Sequence, residues 1–71
     1  MAQKVDRRTL RTKKTLKALL VKQLMTKSLE KITVSELTGL AGFSRGTFYL
    51  HYTDIFALYQ ELEDDVLAGI T

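Results

Sequence analysis

The chain has no cysteine, no proline and no tryptophan, and only one histidine and four glycines among 71 residues. Without cysteine there can be no disulfide framework, iron–sulfur cluster or thiolate zinc site. One histidine leaves almost nothing soft for a transition metal, so no cofactor is expected. The lack of proline and scarcity of glycine favour helices joined by short turns. No apolar run approaches the ~20 residues that span a bilayer. Met1-Ala2-Gln3-Lys4 lacks the apolar stretch of a signal peptide, so a cytoplasmic location and no membrane partner are expected. A chain this short forms at most one small domain and buries roughly 60% of the surface its unfolded form exposes. Its stability is expected to be marginal unless a partner adds core. It has no volume for an enclosed catalytic pocket, and an enzyme is not expected.

What is present is a globular composition, 45% hydrophobic and 27% charged, with the charge unevenly placed. Ten lysines and arginines occur through Lys31, opposed by Asp6 and Glu30 alone. From Ile32 to Thr53, Arg45 balances Glu36; from Asp54 onward every charge is acidic. A basic end of this kind suits a polyanion, although such a run is also what a solvated helix face looks like.

Hydrophobic spacing predicts four helices. Residues 1–11 read as a basic arm leading into a first helix from Thr12 to about Lys27, with Leu16, Leu19, Leu20 and Leu24 at helical spacing. Lys13, Lys14, Lys17 and Lys22 take its wetter sides. Taken alone, such a basic amphipathic helix also fits a membrane surface or a calmodulin-type partner. Thr33-Val34-Ser35-Glu36 has the form of a capping box, with Ile32 placed to staple against Leu37. The second helix then runs from Val34 to Ala41, with Val34, Leu37, Leu40 and Ala41 inward. Gly42 ends it, Ser44 caps a third helix from Arg45 to Tyr52, and Thr53 or Asp54 caps a fourth that continues to the end. Ile55, Leu58 or Tyr59, Leu62, Val66 and Ile70 form the stripe of the fourth helix. That stripe is longer than three short helices cover, which suggests a link to a further domain.

Short helix, glycine turn, short helix is the helix-turn-helix pattern, here over about 33–52. The expected fold is therefore all-α: a homeodomain-like three-helix helix-turn-helix domain over 12–53, plus the start of a fourth helix over 54–71. In such units the second helix of the pair enters the major groove by its N-terminal residues. Arg45 has the chemistry for guanine O6 and N7, Thr47 can offer a methyl or a hydroxyl, and Gly46 leaves room for close approach. These three are the candidate base contacts. Tyr49 can reach the sugar-phosphate edge, and Thr33 and Ser35 frame a second phosphate site at a helix start. Ser44, His51, Arg11 and Lys14 complete the candidate phosphate contacts.

Each residue also has a plainer reading. Arg45 can be a solvated surface arginine, and Thr33 is a cap whatever else it does. Phe48 and Tyr52 are expected inward and Tyr49 outside, but the three aromatics compete for the core, and His51 can serve a local hydrogen bond. The stretch from Glu61 to Asp65 has the spacing of a solvated helix surface. The whole chain can also be a helical protein-interaction module that uses the stripe of the fourth helix and does not bind DNA specifically.

Thr33-Val34, Leu37, Ala41-Gly42-Phe43-Ser44-Arg45-Gly46-Thr47-Phe48-Tyr49 and His51-Tyr52 together resemble the DNA-binding domain of the TetR/AcrR family of bacterial transcriptional regulators. The likeness extends over about Arg11 to Leu67 and rests chiefly on Gly46-Thr47-Phe48-Tyr49-Leu50-His51-Tyr52. It implies a ligand-released repressor that binds a palindromic operator in double-stranded DNA as a homodimer. A C-terminal domain absent from this chain would dimerise and bind a small-molecule inducer. The resemblance places Arg45, Gly46 and Thr47 at base-reading positions, Thr33, Tyr49 and His51 at phosphate positions, and Leu50 at a variable position. Four departures stand out. Ser28 replaces the usual glycine, Leu19-Leu20 an Ala-Ala pair, and Thr38 an alanine. Asp54-Ile55 replaces a Ser-Lys or Asn-Lys pair whose lysine touches phosphate, which Ile55 cannot do.

Overall fold

The computed structural model describes residues 7–69. Arg7–Leu24 form α1, eighteen residues without glycine or proline. The helix thus starts five residues earlier than Thr12, and the part of the expected 1–11 arm from Arg7 to Arg11 is helical; residues 1–6 lie outside the described residues. Arginine and leucine are good helix formers, and nothing between Arg7 and Thr12 breaks the backbone ladder. The other end comes three residues sooner than Lys27. There the Met25 and Thr26 amides donate to the carbonyls of Lys22 and Gln23 at 3.2 and 3.0 Å, tightening the chain into a turn. The Thr26 hydroxyl also donates to Gln23 O at 3.3 Å, competing with the helix ladder as threonine does.

A single 3-10 turn over Leu29–Lys31 leads into α2, Val34–Ala41. Thr33 is extended at φ −112° and ψ 155°, and its hydroxyl accepts from the Glu36 amide at 3.1 Å. The Glu36 carboxylate pairs with Lys27, so it ties α2 back to the end of α1. Gly42 closes α2 at φ 77° and ψ 21°, left-handed geometry that glycine adopts without strain. The Gly42 amide donates to Gly39 O at 3.4 Å and the Phe43 amide to Thr38 O at 2.9 Å, the paired bonds of a Schellman ending. This sharp reversal aims the chain into α3, Arg45–Tyr49. The last helix, α4, runs from Ile55 to Leu67; the Asp54 carboxylate caps it, accepting from the Ala57 amide at 2.8 Å.

The described residues contain no strand. Helix α1 packs on α2 and α4, and α2 packs on α3, giving an all-α helix-turn-helix-like arrangement with a fourth helix. The core joins Leu16 and Leu20 of α1, Ile32 and Leu37, Phe48 and Tyr52, and Ile55 and Leu58 of α4. Ile32 and Leu37 thus lie together as a staple requires. Thr38 is buried as well, and its hydroxyl is satisfied by donating to Val34 O at 2.8 Å.

Two expected core positions lie outside. Leu40 is 56% exposed, because the inward arc of α2 runs through Val34, Leu37, Thr38 and Ala41. Val66 of the α4 stripe is exposed as well. The stripe of α4 is covered only as far as Leu62, and Ile70 lies outside the described residues.

Candidate nucleic-acid interface

Helix α3 is held by one face and presents the other. Phe48 is fully buried, and its ring meets Tyr52 at 5.6 Å between centroids and Tyr49 edge-on at 5.5 Å. The competition among the three aromatics resolves accordingly: Phe48 and Tyr52 go in, and Tyr49 stays 55% exposed. Beyond Tyr49 the helix gives way to a turn, earlier than the Tyr52 end expected from sequence. The Phe48 carbonyl there accepts from the amides of both His51 and Tyr52 at 3.0 Å. That tightened end directs Tyr52 into the core while Leu50 projects outward, 79% exposed.

The start of α3 is set by Ser44, whose hydroxyl accepts from the Thr47 amide at 3.2 Å and shares a hydrogen bond with Thr47 Oγ1 at 3.1 Å. Arg45 and Gly46 are exposed and Thr47 is half-buried. Gly46 has no conformational need to be glycine: its φ is not positive, and a Cβ there would meet only Ser44 Oγ at 3.7 Å. The start of α3 therefore brings together a guanidinium, a threonine whose methyl and hydroxyl lie side by side, and a bare stretch of backbone. Arg45 is the one charged residue in α3.

Other candidates fall in different places. Thr33 and Ser35 are exposed at the start of α2, where free amides and the helix dipole favour an anion. His51 is half-buried, its ring 6.3 Å from that of Tyr52. Arg11 and Lys14 are exposed on α1 and border an open groove of about 950 Å³ between α1 and α4, apart from the cluster at the start of α3. Ile55 is buried, consistent with its inability to serve as a backbone contact.

Sequence reasoning missed a polar cluster that links α1, α4 and the end of the α3 turn. The Tyr52 hydroxyl donates to Glu61, and Lys17 pairs with Asp65. Lys17 also lies 3.4 Å and Lys13 3.5 Å from the Glu61 carboxylate, and the Lys13 ammonium sits 5.7 Å from the Tyr52 ring centroid. Two of the lysines read as wet are thus committed internally. The stretch from Glu61 to Asp65 is only in part a solvated face: Glu61 and Asp65 are half-buried and paired, whereas Glu63 and Asp64 are exposed. The available signal was the i, i+4 spacing of Lys13 with Lys17 and of Glu61 with Asp65, two ladders of opposite sign.

Burial pushes the Tyr52 phenol upward, and the hydrogen bond to Glu61 and the charges of Glu61 and Asp65 add to it, so it stays protonated well above the ordinary tyrosine range. Burial works against the charge on Glu61, but the Tyr52 hydrogen bond and the cations Lys17 and Lys13 outweigh it and hold the carboxyl below its usual value. Burial likewise opposes the charge on Lys17, yet its bond to Asp65 and the nearby carboxylates prevail and raise it.

Among the described residues, no cluster of three or more His, Cys, Asp or Glu side chains is arranged to hold a metal ion, and no helix is long and apolar enough to cross a membrane. No protein-family model matches the chain, and neither a curated protein nor a solved structure gives a match.

Proposed function

We propose that this chain is a binding module, not an enzyme, which reads double-stranded DNA by placing α3 in the major groove. The observation that carries this reading is the division of labour within α3. Phe48 anchors it, while Arg45, Gly46 and Tyr49 face outward, and the fold itself gives Gly46 no reason to be glycine. In this reading Arg45, Gly46 and Thr47 meet base edges, with arginine donating to guanine. Thr33, Ser35, Ser44, Tyr49 and His51 position the duplex through its phosphates, helped by Arg11 and Lys14. The resemblance to TetR/AcrR regulators extends the proposal to a ligand-released repressor, with two copies joined through a C-terminal domain on a palindromic operator.

A backbone-amide NMR titration with a random-sequence duplex at low and moderate salt tests the DNA reading directly. Shifts are expected to cluster at Thr33 to Ser35 and Arg45 to His51 and to fade as salt rises, because phosphate contacts release counterions. Immobile amides in both segments, with movement confined to α4, would overturn the reading in favour of a protein-interaction module. Arg45→Ala is expected to cost about 1–3 kcal/mol of discrimination at one base pair and to flatten sequence preference.

A further inference from the structure

The outward faces of α1 and α4 match each other in spacing and oppose each other in charge. On α1, Leu10 and Val21 are exposed eleven residues apart, with Lys14 exposed between them. On α4, Phe56 and Leu67 are exposed eleven residues apart, with Glu63 exposed between them. Both pairs span about 16 Å, three helical turns. Laid antiparallel, Leu10 meets Leu67, Lys14 meets Glu63 and Val21 meets Phe56 in one unbroken register. Ala18, small and exposed, comes near the middle and allows the helix axes to approach. Within one molecule the two faces cannot meet, because α4 packs on α1 through its opposite side, where Asp65 and Glu61 hold Lys17 and Lys13, and so turns Phe56, Glu63 and Leu67 away.

We infer that the α1 face of one molecule docks the α4 face of a second copy of this chain. The α1 face is bordered by Arg7, Arg11 and Lys14, and the one carboxylate in the groove beside it, Asp65 of α4, is held by Lys17. An acidic helix therefore suits it. An anionic lipid surface does not, since Glu63 and Asp64 on the adjoining helix would be repelled. A duplex offers no apolar surface to cover Leu10 and Val21. Three turns of helix on each side bury less than the roughly 1,200 Å² of a stable complex, so the association is weak. The inference does not rest on the proposed DNA binding, and because Lys14 is also a candidate phosphate contact the test is made without nucleic acid.

Sedimentation equilibrium of the chain without nucleic acid, from about 0.01 to about 1 mM at low salt, tests it. The weight-average mass is expected to rise above that of the monomer with a dissociation constant of about 0.1–1 mM, and the rise should shrink as salt screens the pair. Lys14→Glu and Glu63→Lys are each expected to weaken association at least about tenfold, and the two together to restore it. Both positions are exposed, and circular dichroism checks that each variant stays helical. A wild-type chain that remains monomeric at about 1 mM overturns the inference. So does association that charge reversal leaves unchanged, or a double variant that fails to recover.

Discussion

Replacing Gly46 with alanine separates what the fold needs from what a ligand needs. The position lies in α3 without a positive φ, and the new Cβ would meet only Ser44 Oγ at 3.7 Å, an ordinary contact. Helix physics alone then decides the effect on stability. Alanine leaves the unfolded chain with less backbone entropy to lose, which stabilises by about 0.4–1 kcal/mol. In a domain of this size 1 kcal/mol moves the melting temperature by about 4–8 °C, so the variant should melt roughly 2–8 °C higher. On DNA the sign reverses. A methyl group inserted where backbone packs closely on a base or sugar costs about 1–3 kcal/mol, a loss of about 5- to 150-fold in affinity. A thermal melt followed by circular dichroism gives the first quantity. Fluorescence anisotropy with a duplex selected by the chain from a random pool gives the second. A higher melting temperature with unchanged affinity would show that the start of α3 does not face the duplex. A lower melting temperature would refute the stability reasoning itself.

Three further outcomes bear on the fold. Asp54→Ala removes the cap of α4 and is expected to cost about 0.5–2 kcal/mol, read from the urea midpoint, whereas Asp54→Asn keeps an acceptor and costs less. Phe48→Ala empties the centre of a small core at about 3–5 kcal/mol, enough to collapse the amide dispersion of the NMR spectrum at 25 °C; a well-dispersed spectrum would refute the assignment of Phe48 as the anchor. The polar cluster makes stability depend on pH. Glu61 titrates below its ordinary value of 4.5, so its contribution is present above that value and is lost as pH falls through its folded one. Lys17 and Tyr52 titrate above theirs, so their contributions are complete below about 10 and are lost at higher pH. Tyr52→Phe removes one of the forces that lower Glu61. It is expected to be less stable at neutral pH and to lose stability less steeply on acidification, and an unchanged acid limb would exclude the phenol–carboxylate bond.

Local chemistry made α2 legible from both ends. A threonine three residues before glutamate started it and a glycine stopped it, and each does so by a hydrogen bond that needs no distant partner. The caps at Ser44 and Asp54 were readable for the same reason. The start of α1 was not, because the basic composition of residues 1–11 fits an arm and a helix turn equally well. The inward Phe48 and Tyr52 and the outward Tyr49 follow the expectation from helical position. What was not legible is the partner of the Tyr52 hydroxyl, because Glu61 comes from α4, nine residues on and in another helix. Leu40 was misplaced because helical period alone gives a wide arc, and only the positions of α1 and α3 decide which edge of that arc is covered.

The charge asymmetry of the chain changes meaning once α1 and α4 lie together, and the change can be measured. Lys13 and Lys17 hold Glu61 and Asp65, so they contribute to stability and have little charge left to offer a polyanion. Arg11 and Lys14 point outward. A phosphate contact adds about 0.9 to the slope of log affinity against log salt, whereas a cation neutralised within the fold adds almost nothing. If α1 touches the duplex, Lys14→Ala should lower the slope by about 1 and leave the melting temperature within error. Lys17→Ala should do the reverse, because it leaves Glu61 and Asp65 facing each other across a half-buried gap while removing no phosphate contact. Equal slopes for wild type and Lys14→Ala would assign the outward cations of α1 to a role other than DNA. A slope that falls with Lys17→Ala would mean that the duplex can pull the lysine away from Asp65, and that the junction between α1 and α4 opens on binding.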